Sequence, residues 1–163
     1  MNGFPKRASN PSRASKGSGI VLDLPTVSKM LPLVKQIVAD LLSLEQKLGS
    51  FLWEREGLDR DRNQLSWPER KRRYYVQDEI AGLEHKRKEL KSELEGLGVR
   101  VIDSVHGRIG FPTIVNTRPA YFSWQVGEDE VGYWHFAGDH AKRRAIPASW
   151  LKETPLASLP RRK

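Results

Sequence analysis

The fold is decided by residues 107–139, which read GRIGFPTIVNTRPAYFSWQVGEDEVGYWHFAGD. Apolar and aromatic runs in this stretch are separated by turn-forming residues at 116–119 and 127–129. Such a pattern is typical of short antiparallel strands joined by tight turns. Pro112 predicts an edge strand or a bulge where it falls. We therefore predict a β-meander of three or four strands, at residues 99–103, 108–115, 120–126 and 131–136.

Two stretches with helical periodicity precede the meander. The first is predicted to begin with Thr26 as its N-cap, and Pro32 is expected to separate a short first turn or to lie in the first turn itself. Its apolar residues recur in alternating steps of three and four, at Val34, Ile37, Leu41, Leu44, Leu48 and Phe51. After a loop predicted at residues 57–65, Ser66 and Glu69 form a capping box that starts a second helix. The apolar stripe of this helix consists of Val76, Ile80, Leu83, Leu90, Leu94 and Leu97.

Both stripes have the heptad spacing of a coiled coil, and the short loop favours antiparallel pairing. A meander of this size does not fold alone, so its aromatic face is expected to pack on the base of the hairpin, with Trp150 docking back on the sheet. The predicted fold class is α+β, with a long antiparallel α-helical (coiled-coil) hairpin over residues 20–98 and a small antiparallel β-meander over residues 99–151. Residues 1–19 are predicted to be a disordered basic tail, and residues 152–163 a flexible basic tail.

Composition excludes several classes of protein. The 163 residues include no cysteine, which excludes disulfides, thiolate catalysis and cysteine-ligated metals. No apolar run approaches the roughly 20 residues of a membrane helix, and no apolar segment of a secretory signal follows the first basic residues. We therefore expect a cytoplasmic protein without membrane association. The net charge of +8 lies in the ends, because residues 1–19 carry +4, residues 137–163 carry +5 and the remainder carries −1.

Three motifs carry a resemblance to a known family. They are Gly-Arg-Ile-Gly-Phe-Pro at 107–112, Ser-Trp-x-x-Gly-Glu at 123–128 and Tyr-Trp-His at 133–135. Together with the helical region before them, they make residues 24–150 similar to an uncharacterised bacterial family, domain-of-unknown-function family 2203. No activity is established for that family, so the resemblance implies an architecture and carries over no functional residues.

A basic and aromatic cluster lies where the two helices are predicted to meet. Its bases are Arg60, Arg62, Arg70, Lys71, Arg72 and Arg73, and its aromatic residues are Trp53, Trp67, Tyr74 and Tyr75. Four consecutive bases at the start of a helix oppose the helix dipole, and bases among aromatics suit phosphate contact with base stacking. Alternatively, neighbouring acids pair with these bases and the aromatics pack within the loop. A second nucleic-acid candidate is the triplet Lys142, Arg143 and Arg144.

The candidate metal ligands are His135, Asp139 and His140. Their spacing offers two imidazoles and a carboxylate to one ion, but Gly138 between them leaves their convergence open. The alternative is that His135 is a partly buried, hydrogen-bonding residue of the aromatic sheet. The sequence contains no nucleophile elbow, P-loop or dinucleotide fingerprint. No catalytic residue is therefore assigned, and no cofactor is expected.

The favoured function is a non-enzymatic binding or scaffold module, associated with RNA or a ribonucleoprotein through the basic tip and tails. One alternative is a protein–protein adaptor, or a homodimer, that uses the coiled-coil seam of the hairpin. A further alternative is a small metal-dependent hydrolase centred on His135.

Overall fold

The computed structural model describes residues 19–152. Helix α1 spans Leu24–Arg60, helix α2 spans Trp67–Gly96, and a 3-10 turn at Arg62–Gln64 lies between them. The two helices pack along each other as the predicted hairpin. The predicted basic tails, residues 1–19 and 152–163, fall outside the described residues except for Gly19 and Lys152, and Lys152 ends the 3-10 helix Ala148–Lys152 instead of belonging to a tail. Neither helix has a stretch that is long and apolar enough to cross a membrane, and the same holds throughout residues 19–152.

The first helix begins earlier than predicted. Asp23 is its N-cap, and the Asp23 carboxylate accepts a hydrogen bond from the backbone N–H of Thr26 at 2.8 Å. Thr26 therefore lies in the first turn, and Pro25 fits there because the first turn leaves its N–H groups without helical partners. Pro32 lies inside α1, with helix on both sides. The capping box of α2 is confirmed, since the backbone N–H of Ser66 donates to Glu69 Oε2 at 2.6 Å.

The loop between the helices is shorter than predicted. Helix α1 continues through Gly57 to Arg60 because the apolar stripe also continues, with Leu58 packing against a buried cluster between the two helices. Leu48 joins Val76 and Ile80 in a small cluster between the two helices, which we call the distal core. Nearer the sheet, Arg87 Nη1 lies 3.6 Å from Glu45 Oε2 across the hairpin.

The C-terminal half of the described residues forms an antiparallel sheet with the strand order β1-β2-β3-β4-β5. The predicted strands are present with ends shifted by up to two residues, and the two-residue β5 was not predicted. Strand β3 starts before residue 120 because Asn116 and Thr117 alone form the turn from β2, both with positive φ angles of 50° and 64°. The strands are β1 (Arg100–Asp103), β2 (Arg108–Val115), β3 (Arg118–Gln125), β4 (Tyr133–Phe136) and β5 (Arg144–Ala145).

Pro112 does not make β2 an edge strand, since β2 lies between β1 and β3. Its partner β1 pairs only with residues 108–110, so β2 is uncovered on that side at Pro112. The Pro112 carbonyl instead accepts a hydrogen bond from the backbone N–H of Leu22 at 2.8 Å. The missing N–H of proline therefore breaks no ladder bond. The irregular pairing lies in β1, between Val101 and Asp103.

One face of the sheet packs on the N-terminal half of α1, as predicted. Directly opposite residues of neighbouring strands share a face, so Phe111, Phe122 and Trp134 form one row of this face. They join buried residues of α1 such as Val34 in the main hydrophobic core. Trp150 closes this core, with its ring 5.3 Å from that of Trp134. The opposite side of the sheet, which we call the outer face, carries Gly110, Tyr121, Ser123 and His135.

Candidate functional site

The hairpin tip presents large aromatic side chains to solvent. Trp53 is 80% exposed, Trp67 68% and Tyr74 63%. The rings therefore do not pack inside the loop, and of the four aromatic residues at the tip only Tyr75 contacts another described aromatic ring, edge-on to Phe51 at 6.4 Å. Exposed tryptophan and tyrosine contribute strongly to binding when a partner covers them. We refer to Trp53, Trp67, Tyr74 and Tyr75 as the tip aromatics.

Four of the six predicted tip bases have partners within the hairpin. Arg72 donates to both carboxylate oxygens of Glu54, at 2.5 and 3.0 Å, and its guanidinium lies 4.9 Å from the Tyr75 ring. This hydrogen bond lowers the pKa of Glu54 below its ordinary value. Arg73 Nε donates to Asp59 at 2.7 Å. Arg60 lies 3.6 Å from Glu56, and Arg70 donates to the Leu65 carbonyl at 3.1 Å.

The remaining two tip bases are available to a ligand. In the part of the chain that the structure describes, Arg62 and Lys71 are exposed and make no ion pair or side-chain hydrogen bond. Residues 53–75 contain seven bases and five acids, so the tip as a whole carries a net charge of +2. The acid-pairing alternative thus holds for Arg60, Arg72 and Arg73, while Arg62 and Lys71 retain free cations beside exposed rings.

The outer face carries a hydrogen-bonded network around Arg143. Its guanidinium donates to both carboxylate oxygens of Glu128, at 2.7 and 3.0 Å, and to Ser123 Oγ at 3.0 Å. The Glu128 carboxylate also accepts a hydrogen bond from the backbone N–H of Gln125. The backbone carbonyl of Glu128 accepts one from the indole N–H of Trp124. Because Arg143 is only 16% exposed and bidentate, it joins two loops to β3 and leaves little of its charge for a ligand.

The basic triplet at 142–144 is therefore divided between the two faces of the sheet. Arg143, just before β5, lies over the outer face near Tyr133, at 4.4 Å, and Arg144, the first residue of β5, lies on the helix side near Trp134, at 5.4 Å. Lys142 stays exposed, 4.0 Å from Asp139. The three bases do not form one patch.

His135 is fully buried on the outer face, with 0% exposure. Its Nδ1 lies 3.0 Å from the Phe136 carbonyl, so Nδ1 carries the proton and donates, while the lone pair of Nε2 has no hydrogen-bond partner among the described residues. Burial lowers the pKa of His135 below its ordinary value, and His140, Arg143 and Arg108 act in the same direction. The alternative of a buried, hydrogen-bonded histidine describes this residue.

The three candidate metal ligands do not form a common site. The rings of His135 and His140 meet edge-on at 5.2 Å, but the Asp139 carboxylate faces Lys142. Residues 19–152 contain no group of three or more histidine, aspartate and glutamate side chains arranged to hold a metal ion.

The fold also brings together two cations that the sequence patterns did not indicate. Arg118, the first residue of β3, places its guanidinium 4.0 Å from the Phe136 ring, and that of Arg144 lies 5.6 Å from the same ring. The two residues are 26 positions apart in the sequence. The available signal was the short Asn116-Thr117 turn just before Arg118, but its two-residue length is visible only in the strand register.

These features define an α+β protein in which a long helical hairpin packs at its base on a small antiparallel sheet. The chain belongs to the family described as "Uncharacterized conserved protein (DUF2203)", whose model matches residues 21–146. The three motifs of the sheet region thus indicated the correct family, and the match includes both helices and the five strands. Comparison with curated proteins and with solved structures gives no match.

Proposed function

We propose that this protein is a non-enzymatic binding module that holds single-stranded RNA, alone or in a ribonucleoprotein, at its hairpin tip. The observation that supports it best is the exposure of the tip aromatics beside Arg62 and Lys71. Proteins that bind single strands combine aromatic rings, on which bases stack, with cations that contact the phosphates. The proposal assigns stacking to Trp53 and Trp67 and phosphate contact to Arg62 and Lys71. It places the protein in the cytoplasm.

The paired bases of the tip have a different role in this proposal. Arg72 and Arg73 link α2 to acids of α1, so they fix the spacing of the two helices and the direction of the neighbouring rings. Their substitution would disturb the hairpin together with any binding surface. Arg62 and Lys71 make no such contacts, so their removal tests binding without loss of a structural ion pair.

The adaptor or homodimer alternative, which uses the helical seam, receives less support. Val34, Val38, Leu41 and Leu48 are at most 2% exposed, because α2 and the sheet already cover them. A partner at the seam would first have to separate the hairpin or displace the sheet. If the RNA experiment shows no binding, the tip aromatics become a candidate surface for a protein partner instead.

The test is fluorescence anisotropy of a labelled single-stranded RNA with the full chain across a salt series. The double variant Arg62→Gln/Lys71→Gln is compared with Lys29→Gln/Lys47→Gln, which removes the same charge from exposed positions on α1 away from the tip. Each phosphate contact contributes about 0.7 to the slope of log K against log salt for single strands, so the tip variant should lower that slope by about 1.4. Equal slopes for the two variants would overturn the assignment of the tip.

A second arm tests the stacking contribution. Trp67→Ala should weaken RNA binding by about tenfold, the effect of losing one stacked base, and should leave the melting temperature unchanged because this ring is exposed. Exposed Val105→Ala, beyond β1, is the matched apolar control. If the full chain binds no RNA even at low salt, the function proposed here is wrong, and the tip aromatics become candidates for a protein interface.

A further inference from the structure

We propose that Arg118 and Arg144 form a phosphate-binding site at the edge of the sheet, separate from the hairpin tip. The site goes beyond the proposed function, because its argument uses no residue of the tip. Its ligand is a phosphate group, carried either by an RNA backbone or by a small phosphorylated molecule.

The two guanidiniums share one aromatic support. Their Cζ atoms lie 4.0 and 5.6 Å from the Phe136 ring centroid, so they are at most about 10 Å apart. That separation is comparable to the Debye length of about 8 Å at physiological salt, so the two cations repel each other unless an anion lies between or beside them. The Phe136 ring is itself held edge-on to Trp134 at 4.9 Å, and Trp134 packs on Trp150. The support is therefore a fixed part of the main core.

Neither cation is neutralised within residues 19–152. Arg118 and Arg144 are exposed, and neither makes an ion pair or a side-chain hydrogen bond to another described residue. Arg143 shows the contrast, because its charge is taken up by Glu128. A guanidinium that rests against an aromatic ring keeps its N–H donors free around its edge, and this fork matches the oxygens of a phosphate.

The backbone before Arg118 is strained in a way that positions this residue. Asn116 and Thr117 both have positive φ, and a β-branched residue such as Thr117 rarely adopts that conformation. The resulting two-residue turn sets the register in which Arg118 opens β3. From that register, Arg118 is on the same face as Ala120, whose partner in β4 is Phe136. Strain of this kind is frequent at functional sites.

The test uses NMR of the full chain, in which the arginine Nε–Hε signals are followed during titration with inorganic phosphate at millimolar concentration. We expect the signals of Arg118 and Arg144 to shift together and saturably. The exposed Arg100, on β1, is the internal control for non-specific ion effects. Absence of a saturable shift, or an equal shift at Arg100, would overturn the proposal.

Variants distinguish phosphate binding at this site from a general effect of positive charge. The double variant Arg118→Gln/Arg144→Gln should weaken phosphate binding by about tenfold or more, whereas Arg100→Gln should have no effect. The double substitution to lysine retains both charges and loses the planar fork, so it should also weaken binding. Phosphate binding at wild-type strength in the lysine variant would contradict recognition by the guanidinium fork.

The same variants identify the source of the phosphate. If the glutamine variant also weakens binding of single-stranded RNA, the site holds a backbone phosphate; if RNA binding is unchanged, its ligand is a small phosphorylated molecule. The outcome is independent of the tip variants, since both arginines lie on strands of the sheet whereas residues 53–75 lie at the end of the hairpin. Failure of the tip assignment therefore leaves this test intact.

Discussion

His135 shows how the fold selects one protonation state of a residue. The neutral ring uses its Nδ1 proton in a hydrogen bond to the Phe136 carbonyl, and within residues 19–152 no acceptor is placed to take a second proton from the buried Nε2. Protonation would therefore leave a buried N–H donor unsatisfied, close to the positive charges of Arg108 and Arg143. Burial on the outer face therefore favours the neutral imidazole of His135 over the protonated form.

We predict that His135 makes the protein less stable in mild acid. Because its pKa is lowered in the folded state, the unfolded chain takes up the proton first, and the free energy of unfolding should fall as the pH drops below about 6.5. His135→Asn retains a donor near the Nδ1 position and should flatten this dependence. Chemical denaturation across the pH range measures it, with the exposed His85→Asn as control. A pH profile of His135→Asn identical to that of the wild type would contradict the prediction.

At the scale of single residues, the sequence indicated candidate functional residues but not their contacts. His135 was recognisable as an unusual residue among aromatics, whereas its burial depends on the pairing of β4 with β3. The division of Arg143 from Arg144 depends on β5, which has only two residues and leaves no periodicity to detect. Contacts that join distant strands, such as those of Arg118 and Arg144 to Phe136, follow from register and are absent from local sequence patterns.

At the scale of elements, periodicity predicted the helices well because the buried stripes decide them. The predicted loop at 57–65 is too long because these residues show no apolar period, while Leu58 packs against the distal core and carries the helix past Gly57. Pro32 is predicted to separate a short first turn or to lie in the first turn, although α1 continues on both sides of it. Tertiary packing overrides such local signals when enough apolar surface is buried.

The distal core should be a separately fraying unit of the hairpin. Leu48→Ala removes a fully buried side chain from a cluster that is distinct from the main core, so we expect a local loss of about 2–4 kcal/mol. Hydrogen exchange should speed up in residues 45–80 and stay unchanged in β2 and β3. Leu41→Ala, in the main core, is the control and should affect the sheet as well. Equally faster hydrogen exchange in the sheet of the Leu48→Ala variant would show that the hairpin and the sheet open as one cooperative unit.

The turn between β2 and β3 should be improvable by one substitution. Thr117 has a φ angle of 64°, and glycine reaches this region without the steric cost of a Cβ atom. We predict that Thr117→Gly raises stability by about 1 kcal/mol, or the melting temperature by about 2–4 °C. Calorimetry of Thr117→Ala is the control, because alanine retains the Cβ atom and should give no such gain. Destabilisation by glycine would show that the Thr117 side chain matters more than the strain.

At the scale of the whole molecule, the two proposed sites lie at opposite ends. Helix α1 is about 55 Å long, its first turns share a groove with Asn116 beside Arg118, and its last turn is at the tip. A stacked single strand advances about 3.4 Å per nucleotide, so about 16 nucleotides are needed to reach from one end to the other.

If both sites bind the same strand, the affinity should rise abruptly once the RNA is long enough to reach both of them. We expect oligonucleotides shorter than about 16 residues to bind weakly, and longer ones to gain at least about tenfold through the second contact. Anisotropy with a length series of one repeated sequence measures this. The double variant Arg118→Gln/Arg144→Gln should remove this abrupt rise while leaving the binding of short strands unchanged. A smooth increase with length in both proteins would show that the sites act separately.

The one-sided attachment of the hairpin has a mechanical consequence. The sheet contacts the N-terminal half of α1, and beyond Leu42 the described residues support the hairpin only by its own two helices. The tip is thus the free end of a lever about 25–30 Å beyond its support. A tilt of 5° at the base moves the tip aromatics by about 2–3 Å, which is a large part of the roughly 3.4 Å spacing between stacked bases. Small repacking around Leu41 and Leu90 is therefore magnified at the far end, and the base of the hairpin sets where the tip can reach.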